Sequence, residues 1–265
     1  MLVDTHVHLD SFSDIEVGEI LRRGSDNGVG FVVSAGTTID KTKRSIELST
    51  IYSNFFSGVG VHPMDIVVPL NSDDYDQLES VAASSKKVLV MSEIGLDFIK
   101  GMPDRAWQFD AFRKQIGIAR EVDLPIVFHS RESHEDCFRV LREEKAYEVG
   151  GVMHYFQGTI EEAKRAIGMG FFISIARPIF RLPHLQEVVA NTSLEHIVIE
   201  TDSAPQPFKK KRDNWTEPRH LRAIVDKIAE LHSTETKLVE DIIFRNTRRL
   251  LRGRWEIVRQ FVPHA

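Results

Sequence analysis

Eight short runs of apolar and β-branched residues, each followed by a longer amphipathic stretch, predict an α/β fold: a (β/α)8 barrel of TIM type, in a single domain over residues 1–265. Two further observations separate it from a doubly wound sheet. The runs lack strict polar alternation, as parallel strands buried on both faces do, and no glycine-rich phosphate loop follows the first of them. The length of 265 residues also suits one barrel, which typically takes about 250.

The strands are read in order as MLVDTHVHL from Met1, GFVVSAG from Gly30, FFSGVGVHP from Phe55, VLVMSEIGL from Val88, LPIVFHS from Leu124, GGVMHYF from Gly150, GFFISIA from Gly170 and HIVIETD from His196. Helices are expected between them, among them Ser13–Asn27, Asp104–Val122 and the stretch from Thr159, where Thr159 and Glu162 make a capping box. After the eighth strand, PQPFKKKRDNW is a polar loop long enough to cover a site. Helical stretches follow from about Glu217 to His232 and from Thr236 to Arg252, and the tail RGRWEIVRQFVPHA is expected to pack on the surface.

Composition narrows the function. With 42% hydrophobic and 28% charged residues the chain reads as an ordinary soluble protein, and no apolar run approaches the roughly 18 residues of a membrane span. Charged and polar residues at Asp4, His6, His8 and Asp10 break any secretory leader, so a cytoplasmic address is expected by default. The single cysteine, Cys137, excludes an internal disulfide and a thiolate zinc cage, so any metal is held by histidine and carboxylate. A net charge of -5 argues against broad attraction to nucleic acid, and a phosphate-bearing substrate needs a local positive site.

His6 and His8 stand two apart at the end of the first strand and share a face. Glu93 is read as ending the fourth strand, His129 the fifth, His154 the sixth and Asp202 the eighth, so all six converge on the carboxyl end of a barrel. Burying four imidazoles and two carboxylates there is costly unless cations compensate. Six donors exceed the needs of one tetrahedral ion, which favours two divalent metals with Glu93 as a bridge and an activated water as nucleophile. Mg, Mn, Zn and Co all remain open.

The segments DTHVHLD, GVGVHP, SEIGLDF, FHSRES, MHYFQG and ETDSAP, in this order along nearly the whole chain, resemble the motif series of the TatD family of metal-dependent deoxyribonucleases, amidohydrolase-type barrels. The resemblance implies hydrolysis of DNA phosphodiester bonds, typically from a 3′ end, with His6, His8, Glu93, His129, His154 and Asp202 as metal ligands and single-stranded DNA or DNA ends as substrate. Two departures bear on the substrate groove. Where the family commonly reads His-Cys-Phe-Ser-Gly this chain has His154-Tyr155-Phe156-Gln157-Gly158, and Ser203-Ala204-Pro205-Gln206-Pro207 replaces a shorter turn.

Asp202 and Glu93 are the catalytic candidates, Asp202 orienting or deprotonating the water or serving only as a ligand. His62 is a candidate donor to a phosphate oxygen. Arg131, Arg177 and Arg181 are candidate phosphate clamps, and Lys211, Arg212 and Trp215 candidate strand contacts in the basic loop, where Phe208 and Trp215 could stack bases. Phe156 and Cys137 are expected to pack in the core. Two alternatives stand beside the nuclease: an amidohydrolase acting on small amides, esters or phosphodiesters, and a metal-binding barrel without catalysis. A lysine ending the fourth strand would favour the former, and Glu93 occupies that place. Nothing in the sequence requires a partner subunit, so a monomer is compatible with it, as is an oligomer.

Overall fold

The computed structural model describes residues 1–263. Its strands are β1 Leu2–Val7, β2 Val29–Ser34, β3 Phe55–Val59, β4 Val88–Asp97, β5 Ile126–Arg131, β6 Gly151–Met153, β7 Phe171–Ile175 and β8 Ile197–Ile199, each overlapping an expected run. They pair in parallel in chain order. The ring is drawn nearly shut where Val7 bridges Ser203, His8 N donates to the Ser203 carbonyl at 2.7 Å and Asp202 N donates to the His6 carbonyl at 3.1 Å. Helices α1 Asp14–Ser25, α2 Ile39–Ile51, α3 Ser72–Ser84, α4 Arg105–Glu121, α5 His134–Glu143, α6 Ile160–Gly168 and α7 Pro183–Ala190 fill the seven intervals, and α8 Leu221–Leu231, α9 Thr236–Leu251 and α10 Trp255–Phe261 follow β8. Capping boxes start α1 (Ser13, Glu16), α3 (Asn71, Asp74) and α6 (Thr159, Glu162), so these helices begin where their sequences satisfy the first free amides.

Three expectations shift. Pro218–His220 forms a 3-10 turn, so the helix expected from Glu217 begins at Leu221. Strand β4 does not end at Glu93 but continues to Asp97, because β5 keeps pairing with it through Asp97 opposite Arg131. The tail does not simply lie on the surface: Trp255 and Val258 are 3% and 0% exposed. They join an apolar cluster that takes at least one residue from every strand, Val3, Phe31, Phe56, Leu89, Val127, Val152, Phe172 and Val198 among them, which only a barrel interior brings together. Trp255 seals the amino end of that interior. His264 and Ala265 lie outside the described residues.

The interior stripes continue upward into the site. Val127 precedes His129, and Val152 precedes His154, by one strand repeat, and Val198 precedes Glu200 and Asp202 by one and two, so the same face that is apolar below carries the ionisable groups above.

Candidate metal centre

Two bulges aim the remaining donors. In β1 the pairs Asp4↔Val32 and Val7↔Ser34 set three residue steps against two, reversing parity so that His6 and His8, rather than Val7, face inward above Val3. In β4 the pairs Met91↔Ile126 and Ile94↔Phe128 do the same around Glu93, where the Ser92–Glu93 peptide is cis. Gly95, at φ +145°, allows the close approach of β5, since a Cβ there would meet the His129 carbonyl oxygen at 2.0 Å.

Glu93 is the hub. Its Oε2 lies 3.3 Å from His6 Nε2 and 3.6 Å from His8 Nε2, whereas its Oε1 lies 3.0 Å from His129 Nδ1 and 3.3 Å from His154 Nε2. Asp202 Oδ1 stands 3.2 Å from His8 Nε2 and 4.0 Å from His6 Nε2. All six expected donors therefore meet. Their atoms fall into overlapping triplets, His6–His8–Glu93 and His6–His154–Asp202, each within 4.8 Å, and a third triplet joins His62, Glu93 and His129. Neutral nitrogens and anionic oxygens converging from opposite sides of one carboxylate fit divalent cations, because a few shared protons cannot satisfy so many lone pairs.

His62 differs from the other histidines. Its Nδ1 accepts from Met64 N at 3.1 Å, so its proton resides on Nε2, which faces Glu93 Oε1 at 3.2 Å. That tautomer makes His62 a donor at the rim of the cluster and leaves it no lone pair for a metal.

Charge follows from these contacts. Burial opposes ionisation of Glu93, yet His62, His154, His129 and His6 hold its carboxyl well below the usual range. Asp202 is likewise resisted by burial but pulled down by His8 and His154. Burial lowers His154 as well, and Glu200 and Glu93 outweigh it, pushing its imidazole up to about 10. His6, stacked on His154 with ring centroids 3.7 Å apart, is pushed down by burial and by that neighbour.

Three carboxylates behind the cluster escaped the sequence reading. Asp97 Oδ2 lies 2.9 Å from His129 Nε2, and Glu200 Oε1 lies 2.8 Å from His154 Nδ1. Each fixes the far nitrogen of a donor imidazole, which orients the ring and raises its basicity. Asp4 accepts from Thr201 N at 2.9 Å and from Thr201 Oγ1 at 2.5 Å, anchoring the backbone just before Asp202. Strand spacing was the available signal: Asp97 lies four residues from Glu93 and Glu200 two from Asp202, in each case on the same face.

The cluster floors a cavity of about 830 Å3. Arg131 and Arg181 line it, joined by Lys41, and none of the three has a carboxylate within ion-pair distance among the described residues, whereas most other arginines do. The remaining expected contacts lie elsewhere. Arg177 is exposed on the turn after β7 and Lys211 on the loop after β8, neither lining the cavity. Arg212 donates to Glu217 Oε1 at 2.8 Å and stacks 4.5 Å over Trp215, which itself packs on the core. Glu217 also takes Arg23 and Arg219, so this knot ties the loop to α1 instead of offering it to the cavity. Phe208 is 78% exposed, Phe156 is buried, and the Cys137 thiol is buried and pushed up to about 11 by that burial.

A parallel β/α barrel with a histidine–carboxylate cluster at the carboxyl ends of its strands defines a metal-dependent hydrolase. The family model described as TatD related DNase matches residues 3–252, and the chain belongs to that family. It is 32% identical over 258 residues, 95% of this chain and 99% of the other, to the uncharacterized metal-dependent hydrolase YabD of Bacillus subtilis (strain 168). It is 28% identical over 248 residues, 89% of this chain and 94% of the other, to the 3′-5′ ssDNA/RNA exonuclease TatD of Edwardsiella piscicida. Among solved structures, the TatD homolog YjjV of Escherichia coli K12 superposes with a TM-score of 0.86 at 26% identity, covering 94% of this chain and 97% of that one. No helix among the described residues is long and apolar enough to cross a membrane.

Proposed function

We propose that the chain, acting as one catalytic unit over residues 1–265, hydrolyses phosphodiester bonds of DNA and removes nucleotides from the 3′ end of a single strand. The observation that carries this reading is the cavity of about 830 Å3 whose floor is the donor cluster and whose lining includes Lys41, Arg131 and Arg181, none of them ion-paired among the described residues, alongside Asp10, Asp65 and Glu132. Such a lining favours a polyanion over a neutral amide or ester. The named activity of the Edwardsiella relative agrees with it.

Two divalent ions would be held by His6, His8, His129, His154 and Asp202, with Glu93 between them, Zn, Mn, Co and Mg all being candidates; bound there, they supply Lewis acidity and lower the pKa of water. Asp202 opens to the cavity with 31% of its side chain exposed, in position to orient the attacking water and take its proton. The His62 Nε2–H, which faces Glu93 Oε1 without substrate, is the proposed donor to a phosphoryl oxygen, and the rim cations bind and align the phosphate. Asp97 and Glu200 hold the His129 and His154 rings in place.

The test is hydrolysis of end-labelled single-stranded DNA by metal-stripped protein refilled separately with Mg, Mn, Zn or Co. A ladder shortening from the 3′ end, absent in Glu93→Ala and Asp202→Asn, is expected. Metal uptake by a protein that leaves DNA intact would overturn the substrate, and shortening from the 5′ end the polarity.

A further inference from the structure

Tyr155 stands between His154 of the donor cluster and Phe156 of the core, at φ +47°, a left-handed backbone conformation that an aromatic residue rarely adopts. The surroundings hold it there. His154 N donates to the Phe128 carbonyl at 3.1 Å and Phe156 N to the Ser174 carbonyl at 3.0 Å. Tyr155 N itself donates to Glu200 Oε1 at 2.8 Å, the oxygen that also faces His154 Nδ1. Consecutive amides are thus pinned to β5, to the buried Glu200 and to β7. The Tyr155 side chain lines the cavity together with Arg181, whose guanidinium lies near enough to act on the phenolic hydroxyl.

Arg181 lines the same cavity and has no carboxylate within ion-pair distance among the described residues, although the chain as a whole carries a net charge of -5. A guanidinium left open next to a phenolic hydroxyl presents N–H and O–H donors to one oxyanion. We propose that Tyr155 and Arg181 form a phosphate-binding subsite beside the donor cluster, with Tyr155 a specificity-determining residue. The subsite takes a tetrahedral phosphoryl group: Arg181 supplies the charge, and the Tyr155 hydroxyl supplies a fixed donor whose direction the turn at residues 154–156 sets. As a role in substrate binding, the proposal rests on the phosphodiesterase reading, and it deepens that reading by naming which side of the cavity grips the phosphate.

The experiment uses the full chain loaded with manganese, in wild-type, Tyr155→Phe and Arg181→Gln forms. Two readouts are taken: the Kd of inorganic phosphate by calorimetry, and kcat and KM on bis(4-nitrophenyl) phosphate. Each variant is expected to weaken phosphate by about tenfold and to raise KM by a similar factor with kcat within about twofold, the signature of lost uniform binding. Tyr155→Phe keeps the ring and removes only the hydroxyl, so its loss is separable from a loss of fold, which a thermal melt checks. Unchanged phosphate affinity in both variants, or no phosphate binding by wild type, overturns the subsite while leaving any diester hydrolysis standing. Weakened phosphate binding in the variants of a protein that cleaves no diester keeps the subsite and removes the nuclease reading.

Discussion

Asp97→Asn isolates the part played by a buried carboxylate that touches no substrate. Asp97 is 0% exposed; its Oδ2 faces His129 Nε2 at 2.9 Å, and its Oδ1 accepts from Ile99 N at 3.2 Å. Asparagine preserves the shape and offers one oxygen, so only one of these two donors keeps a partner. With that oxygen turned to His129, an ionic hydrogen bond becomes a neutral one, a loss of about 1.5 kcal/mol that weakens metal about tenfold. The amide of Ile99 then faces an NH2 group, which costs about 1 kcal/mol of stability in the metal-stripped protein. Competition with a chromophoric chelator measures the first quantity and urea unfolding the second. A metal affinity within twofold of wild type would refute the assignment of Asp97 as the group that orients His129.

Three further outcomes follow from the geometry. Because the metal-free His154 keeps its proton up to about 10, and His8 and His129 are raised as well, metal uptake at pH 7 releases at least one proton, and affinity falls as pH falls; calorimetry in buffers of different ionisation enthalpy counts the protons. Arg131→Gln removes a rim cation without touching the donors, so oligonucleotide affinity drops while the slope of log K against log salt flattens by about 0.7, as fluorescence anisotropy at several salt concentrations will read. Glu217→Gln leaves Arg23, Arg212 and Arg219 facing a neutral amide and lowers stability at pH 7 by about 2 kcal/mol, discounted for the partial exposure of the arginines. Burial opposes the Glu217 charge, but the arginines hold its carboxyl below 4.5, so this contribution is present above pH 4.5 and is lost as pH falls below it; urea unfolding at pH 7 and pH 3 checks the difference.

The barrel and the six donors were legible because each lies where an apolar strand run gives way to an ionisable residue, a one-dimensional signal. What sequence could not supply was pairing in space. The bulge that turns His6 inward is a register event between β1 and β2, invisible in β1 alone. Arg212 and Trp215 read as strand contacts because a basic run shows its cations and hides its anion: Glu217, five residues on, becomes their partner only when the loop folds against α1. His62 was read as a donor to phosphate, and nothing in the sequence signals that its Nδ1 accepts from the Met64 amide while its Nε2 faces Glu93. Trp255 was placed outside because its short amphipathic stretch looks like any terminal helix until the open end of the barrel interior is seen beneath it.

The seam between β1 and β8 bears on how the chain reaches this state. Thr5 donates its hydroxyl to the Ile199 carbonyl across 194 positions of sequence, and Asp202 is tied to the His6 carbonyl over a similar span. A polypeptide emerging from the ribosome therefore displays β1 with one bare edge until about three-quarters of these 265 residues have been synthesised. During that interval β1 and β7 each lack one neighbour, and association with chaperones or with other nascent chains competes with closure. The donor cluster straddles this seam, with His6 and His8 on one side and Asp202 on the other, so it is assembled only when the ring closes.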